Sequence, residues 1–254
     1  MRYEIFGETL PAVTIQLDKG ERIYTQRGGM MWMSSNMSME TNMQGGVLKG
    51  LARRFAAGSS MFMATYTAES NGQTFTAASS FPGSILAYDV SRGNIIAQTG
   101  AFLCAETGVG LDVYTVPGLG TMFFGGEGVF MQELSGKGIV FLEIDGSAKE
   151  IELQRGEMLK VNTGNIAAFE KTVTFSIERI KGLKNIAFGG EGLFISTVEG
   201  PGRVWLQTMA KSTVARQLIP FLPSSGTSSS SISGAFGGTI AGGILGGLLS
   251  GDDE

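Results

Sequence analysis

Two glutamates are the residues of this chain whose type and spacing best suit chemistry. Glu127 and Glu191 each lie within a Gly-Gly-Glu-Gly sequence, and they are 64 residues apart. Two carboxylates can bind a cation, or can act as acid and base in a hydrolase when they lie within about 10 Å of each other. We therefore compare three hypotheses for the two glutamates, namely a metal site, a hydrolase pair and a purely structural role.

A glutamate in a glycine-rich turn can accept hydrogen bonds from backbone N–H groups and so hold the turn in place. Because the whole sequence recurs at a fixed spacing, we favour this structural role for both glutamates. The predicted turns are formed by Gly125, Gly126, Glu127 and Gly128, and by Gly189, Gly190, Glu191 and Gly192.

The remaining chemistry of the chain is limited by the residues that it lacks. It has no histidine, which removes the commonest general base and the commonest zinc ligand. Its one cysteine, Cys104, lies in an apolar run, so we predict a buried, unreactive thiol and no disulfide framework. We therefore expect no enzyme activity, and no catalytic, cofactor-binding or metal-binding residues.

Methionine is concentrated in one early segment. Thioethers can ligate copper(I), but without histidine we favour two other roles, namely flexible filling of the core or an adaptable apolar contact surface. The sequence leaves both roles open. The methionines concerned are Met30, Met31, Met33, Met37, Met39 and Met43.

The charge balance argues against a nucleic-acid partner. The net charge is −4, whereas affinity for a phosphate backbone comes from clustered lysine and arginine. A small basic group, Lys49, Arg53 and Arg54, lies on residues 47–55, whose apolar spacing predicts a helix. We interpret this group as the solvated face of that helix, with contact to an anion or a lipid headgroup as the alternative.

An internal repeat indicates the architecture. The stretch that begins at Gly118 is identical to the stretch that begins at Gly182 at 12 of 25 positions, and a weaker match begins at Gly50. A fixed long period means that one supersecondary unit has been copied and packed against itself. We predict three units, residues 1–80, 81–145 and 146–209, which form one domain over residues 1–209.

Apolar residues that alternate with polar ones predict strands with one buried face. Val13, Ile15 and Leu17 form one such series, and Val173, Phe175 and Ile177 form another. Short strands among many glycines are typical of an all-β sandwich or barrel with few short helices. We also predict that Phe75, Phe141 and Trp205 lie in the core.

Turn and helix signals are few. Asn71-Gly72 and Asp145-Gly146 are sequences typical of β-hairpin turns. Residues 213–219 have the spacing of a short helix, within a helical and proline-containing segment, residues 210–223, that Ser212 would cap and Pro220 would end.

The C-terminal part has a different composition. Residues 224–254 form a Ser/Gly-rich tail that we expect to be flexible, and residues 235–249 within it are apolar with glycine at every fourth position. On a helix this spacing makes a groove that admits a second helix, although the stretch is shorter than the roughly 20 residues of a membrane span. Self-association or insertion at a membrane surface is the alternative to a disordered tail.

Three sequence features together resemble one family. They are the repeated Phe-Gly-Gly-Glu-Gly segment, the Gly-Pro-Gly-Arg-Val-Trp-Leu-Gln segment at 200–207, and the Gln-Arg-Gly and Gln-Thr-Gly turns at 26–28 and 98–100. The chain resembles the altered-inheritance-of-mitochondria (AIM-type) family. This family is widespread in prokaryotes and also includes a fungal mitochondrial biogenesis protein. The resemblance covers about residues 1–209. It implies a β-sandwich with a fold like that of the tryptophan RNA-binding attenuation protein (TRAP-like), and it implies no catalytic residues.

These observations lead to one main functional expectation and two alternatives. We expect a non-enzymatic scaffold or interaction protein that forms a homo-oligomer in the cytoplasm, where the tail would bring it to a membrane surface. The first alternative is a module that binds a small molecule or anion where glycine turns converge. The second is a carboxylate hydrolase that uses Glu127 and Glu191.

Overall fold

The protein is almost entirely built of β-strands. The computed structural model describes residues 1–26, 28–42, 63–115, 131–179, 194–218 and 221. The strands of the first half are β1 (Arg2–Phe6), β2 (Ala12–Leu17), β3 (Arg22–Gln26), β4 (Met30–Met33), β5 (Met37–Asn42), β6 (Met63–Ala68), β7 (Gln73–Ala78), β8 (Gly83–Asp89), β9 (Ile95–Gln98) and β10 (Phe102–Glu106). Those of the second half are β11 (Val109–Val113), β12 (Met131–Gly136), β13 (Ile139–Asp145), β14 (Ala148–Leu153), β15 (Met158–Asn162), β16 (Ile166–Glu170), β17 (Thr174–Arg179), β18 (Phe194–Glu199) and β19 (Gly202–Gln207).

Helical structure is sparse in the described part of the chain. One α-helix, α1, spans Lys211–Leu218, where the sequence predicted a helix over residues 213–219. It begins before Ser212, so that residue lies inside the helix rather than at its cap. Single 3-10 turns occur at Val90–Arg92, Thr99–Ala101 and Thr163–Asn165.

The described strands form four antiparallel sheets. Sheet A has the order β1-β2-β7-β4, and sheet B has the order β5-β6-β3-β10-β13-β8. Sheet C has the order β11-β12-β9-β16-β19-β14, and sheet D has the order β15-β18-β17. Sheets B and C are thus each assembled from two groups of three strands, which meet where β3 pairs with β10 and where β9 pairs with β16.

The pairing of β3 with β10 and the pairing of β9 with β16 have the same register. In the first, Thr25 pairs with Cys104, and in the second, Ala97 pairs with Ala168. In each case the next-to-last residue of one strand lies opposite the third residue of the other. Strands β10 and β16 also share a shift in register against their other neighbours, β13 and β19, after the first strand residue. Strand β4 has the same shift against β7, between Met30 and Trp32.

Apolar side chains between successive sheets form three core clusters. The cluster between sheets A and B includes Ile15, Phe75 and Phe141, and the cluster between sheets B and C includes Phe102 and Trp205. The cluster between sheets C and D is centred on Phe169 and Phe175, whose rings stack 5.2 Å apart. The sheets therefore pack in the order A, B, C, D, and the predicted core aromatics Phe75, Phe141 and Trp205 are all buried.

The all-β architecture predicted from the sequence is confirmed, and a sandwich-like packing of sheets fits it. The alternation of Val13, Ile15 and Leu17 is confirmed as well, since all three are buried. The division into three repeated units stays a prediction, because the matching stretches near residues 50, 118 and 182 lie outside the described residues.

The two predicted hairpins are wrong, although their turns exist. Gly72 and Gly146 both have φ of 73°, the left-handed conformation that glycine adopts without strain. However, β6 and β7 belong to sheets B and A, and β13 and β14 belong to sheets B and C. A left-handed glycine permits a tight reversal of the chain, and here each reversal carries the chain from one packed sheet into the next.

Candidate interaction surface

Most residues singled out by the sequence as chemical candidates lie outside the described residues. This holds for Gly125, Gly126, Glu127 and Gly128, for Gly189, Gly190, Glu191 and Gly192, and for Lys49, Arg53 and Arg54. The predicted turns, the basic helix face and the hydrolase pair therefore stay predictions. The candidate site is formed by other residues.

The outer strand of sheet A exposes side chains that its counterparts bury. Met31 and Trp32, the second and third residues of β4, are 58% and 46% exposed. The residues at the same positions of β10, Leu103 and Cys104, are 2% and 0% exposed. Leu103 and Cys104 lie in sheet B, which has a sheet packed on each face, whereas the described residues of sheet A pack against sheet B alone. Among the described strands β4 is also paired on one edge only, with β7.

An aromatic pair continues this exposed region across the sheet. The rings of Phe6, on β1, and Trp32 are 6.1 Å apart, and both side chains are about 40% exposed or more. Thr76 lies opposite Trp32, and its hydroxyl group is hydrogen-bonded to that of Thr14 at 2.9 Å. Phe6, Met31 and Trp32 together form the sheet A surface. Neighbouring exposed apolar groups of this kind are typical of a contact site for another molecule.

The methionine-rich segment proves to be mixed, which answers the choice that the sequence left open. Met37 is buried in the core between sheets A and B, and Met30 and Met33 pack partly against it. Met31 and Met39 are exposed. The described part of the segment therefore fills the core with one set of side chains and presents the other set to solvent, while Met43 lies outside the described residues.

A buried charge cluster joins α1 to sheet B. The Lys211 ammonium lies 2.7 Å from Glu143 Oε1 and 3.4 Å from Asp145 Oδ2, and both carboxylates are almost fully buried. Glu143 also accepts hydrogen bonds from the Ser80 N–H at 2.8 Å and from the Ser79 hydroxyl at 3.2 Å. The ammonium donates further to the Gly100 carbonyl at 3.2 Å. One lysine thus neutralises two strand carboxylates and anchors the helix that precedes the tail.

Sequence reasoning missed this cluster. Glu143 and Asp145 alternate with Leu142 and Ile144 on β13, a pattern that normally indicates a strand with one solvated face. Sheet B has sheets A and C packed on its two faces, so the charged positions of β13 are buried too. The one available signal was the position of Lys211 just before the predicted helix over residues 213–219, because a cation at the start of a helix is disfavoured by the helix dipole.

Burial is the main cause that raises the pKa of Asp145 to about 6; the Lys211 ammonium opposes this shift and the Glu143 charge adds to it. A carboxyl whose pKa is higher in the folded state than in the unfolded chain binds its proton more tightly when folded. Its contribution to the free energy of unfolding is therefore greatest below about pH 4 and is lost as the pH rises towards 6.

Asp145→Asn is expected to remove this pH dependence, because the amide does not titrate. Between about pH 4 and pH 7 the wild type should lose on the order of 2 kcal/mol of stability that the variant keeps. Urea denaturation across this pH range measures the difference. Equal pH slopes for the two proteins would show that Asp145 is not the responsible group.

A second charged group is fully engaged within the protein. The Arg203 guanidinium makes two hydrogen bonds to Glu170 Oε1, at 3.0 and 2.7 Å, and lies 5.1 Å from the Trp205 ring centre. The Trp205 indole N–H donates to Glu150 at 2.8 Å. The Glu170 carboxylate holds the pKa of Arg203 above its usual value. Like Lys211, Arg203 is committed to carboxylates of the chain, which disfavours either residue as an anion ligand.

Metal binding, thiol chemistry and membrane spans find no support in the described part of the chain. No group of three or more His, Cys, Asp or Glu side chains there is arranged to hold a metal ion. The Cys104 thiol is buried as predicted, and burial raises its pKa, so it is a poor nucleophile. No helix among the described residues is long and apolar enough to cross a bilayer.

Comparisons with known proteins identify one family and two similar bacterial proteins. The family model described as mitochondrial biogenesis AIM24 matches residues 3–209. An uncharacterised protein of Streptococcus pyogenes serotype M6 is 28% identical over 224 residues, which cover 85% of this chain and 88% of that protein. A crystal structure of another Streptococcus pyogenes protein superposes with a TM-score of 0.71 and 24% identity, covering 87% of this chain and 99% of that one, and so shows a shared fold. The match over most of the chain shows that this protein belongs to the AIM24 family.

Proposed function

We propose that this protein is a non-enzymatic interaction protein that self-associates through the sheet A surface. The observation that carries the proposal is the exposure of Met31 and Trp32 on β4, at positions that are buried on β10. The absence of histidine from the sequence supports a role without catalysis. Methionine and aromatic side chains are also the types enriched at protein–protein contacts.

Covering the sheet A surface makes a favourable contribution to association. A tryptophan buries about 200 Å² when fully covered, and about half of that area is still exposed in Trp32. At about 25 cal/mol per Å², covering the rest contributes about 2 to 3 kcal/mol, before the neighbouring Phe6 and Met31 are counted. Association opposes this gain with the loss of translational and rotational freedom, so we expect reversible rather than permanent oligomers.

Trp32→Lys is expected to weaken self-association at least tenfold, because it removes the largest exposed side chain of the surface and adds a charge at a sheet edge. Sedimentation velocity over a concentration series measures this effect. Leu10→Lys is the matched control, since Leu10 is also an exposed apolar residue but lies in the loop before β2. The same loss in both variants would contradict a specific role for β4.

We also propose that the protein acts in the cytoplasm, next to a membrane surface that the tail contacts. The support is the sequence of residues 235–249, which is apolar and glycine-rich. Flotation of the full chain with liposomes tests this part of the proposal. Charged substitutions at Leu245 and Leu248 should abolish flotation, and a full chain that stays at the bottom of the gradient would remove membrane contact from the proposal.

A specific observation favours small-molecule binding as the second candidate function. Gln132, on β12, is buried, and both polar atoms of its amide find no hydrogen-bond partner within the described residues. It lies opposite Ala97, a residue of the core between sheets B and C. An unpaired buried amide costs on the order of 1 to 3 kcal/mol, which a polar ligand would offset. Native mass spectrometry of the purified full chain would detect such a ligand, and the mass of the bare chain alone would count against it.

A further inference from the structure

Strands β10 and β16 correspond in position to β4, and they pair with β3 and β9. These two pairings indicate which strand pairs with the open edge of β4. We propose that β4 of one copy pairs with β15 of a second copy, in the register that joins β3 to β10 and β9 to β16. This inference rests on the proposed self-association and names the surface that the sheet A surface meets.

Strand β15 has the same place in its sheet as β3 and β9. It pairs with β18 and β18 pairs with β17, as β3 pairs with β6 and β6 with β5, and as β9 pairs with β12 and β12 with β11. Strands β3 and β9 each use their second edge to pair with β10 and β16. Among the described strands, none pairs with the second edge of β15. Among the described strands, β4 and β15 therefore each have one edge with which no strand pairs. Edges of these two kinds pair with each other where β3 meets β10 and where β9 meets β16.

The register of the proposed pairing follows from the two internal ones. In both, the next-to-last residue of the first strand lies opposite the third residue of the second strand. Applied to β15 and β4, this rule places Val161 opposite Trp32 and Lys160 opposite Met33. The spacing agrees, since β3, β9 and β15 each end four residues before the next strand begins, at Met30, Phe102 and Ile166.

A second copy, rather than the same chain, supplies β15. Sheet A packs against sheet B, and sheet D packs against sheet C, so the two open edges belong to the two end layers of the packing order. Within one copy the two edges do not meet, because among the described strands β4 pairs only with β7 and β15 only with β18. Each copy offers both edges, so the contact is head-to-tail and produces rings or chains of molecules.

Lys160 makes this pairing weaker than the internal ones. The positions that correspond to it, Tyr24 and Ile96, are buried against the neighbouring strand. Lys160 is exposed, and its ammonium lies 3.7 Å from the Glu178 carboxylate. A lysine on an edge strand disfavours indiscriminate pairing, yet its stem can cover Met33 while the ammonium stays in water. Association through β15 is therefore selective and reversible.

Cysteine cross-linking tests the pairing and its register. The full chain carrying Met33→Cys is mixed with the full chain carrying Lys160→Cys under mild oxidation, and a disulfide-linked dimer of the two is expected because opposite residues have Cβ atoms about 5 Å apart. Glu178→Cys replaces Lys160→Cys in the control, since β18 separates β17 from β15. The native Cys104 is buried and does not compete.

A second variant tests the pairing in case it is too weak to yield a disulfide-linked dimer. Lys160→Ile introduces the residue type that Ile96 provides at the internal joint, and it is expected to tighten self-association at least tenfold in sedimentation velocity. A disulfide formed only within one chain of the double variant Met33→Cys/Lys160→Cys would overturn the role of a second copy. Self-association could also be weakened by Trp32→Lys and yet show no cross-link and no response to Lys160→Ile. This result would overturn β15 as the partner and leave the proposed function standing. Failure of every variant and of the wild type to associate would remove both.

Discussion

Replacing Lys211 by methionine is expected to lower the free energy of unfolding by about 3 to 5 kcal/mol, because the substitution leaves two buried carboxylates without their cation. Glu143 and Asp145 are almost fully buried, and Lys211 is the cation placed between them. Methionine fills a similar volume, so the loss reports the missing charge rather than missing packing. Urea denaturation at pH 7 measures the change.

The matched control for this variant is Lys171→Met. Lys171 lies 2.6 Å from Glu133, but its side chain is half exposed, so water screens the pair. Such pairs contribute about 0 to 1 kcal/mol. Equal losses in the two variants would contradict the view that the Lys211 cluster stabilises the fold through burial. Combining Lys211→Met with Glu143→Gln and Asp145→Asn should recover much of the stability, since the buried charges are then gone.

Replacing Phe141 by alanine is expected to cost about 3 to 5 kcal/mol, the range observed for large-to-small substitutions of buried aromatics. Phe141 is fully buried on β13, and its ring meets Tyr3 of β1 edge to face, 5.0 Å away. The side chain therefore holds sheet A against sheet B. Thermal and urea denaturation both measure the loss.

Phe221→Ala is the control with the same change in side chain. Phe221 is largely exposed, so its removal should change stability by about 0.5 kcal/mol or less. If Phe141→Ala were as mild as the control, the packing of sheet A on sheet B would not be a main source of stability. A loss confined to Phe141→Ala supports the layered core.

The sequence predicts those features of the fold that depend on neighbouring residues. The alternation of Val13, Ile15 and Leu17 predicts a strand with a buried face, and the apolar run around Cys104 predicts a buried thiol; both are confirmed. Asn71-Gly72 and Asp145-Gly146 predict tight turns, and both glycines have the required positive φ. The prediction that these turns form hairpins is wrong, because a turn sequence does not specify which sheet the next strand joins.

The features that carry the proposed function depend on distant parts of the chain. Met-Met-Trp-Met at 30–33 is apolar throughout, so its sequence does not reveal whether a further strand covers it. The exposure of Trp32 becomes informative only when it is compared with the burial of Cys104 and Ala168, which occupy the corresponding positions of β10 and β16. In the same way, the burial of Glu143 and Asp145 follows from packing on both faces of sheet B, which local alternation does not encode.

The most direct test of self-association is the molar mass of the full-length wild type, measured by light scattering coupled to size-exclusion chromatography over a wide range of loading concentrations. We expect a mass above that of one chain, which rises with concentration as the exposed edges of β4 and β15 become occupied. A mass equal to one chain at every concentration would contradict it.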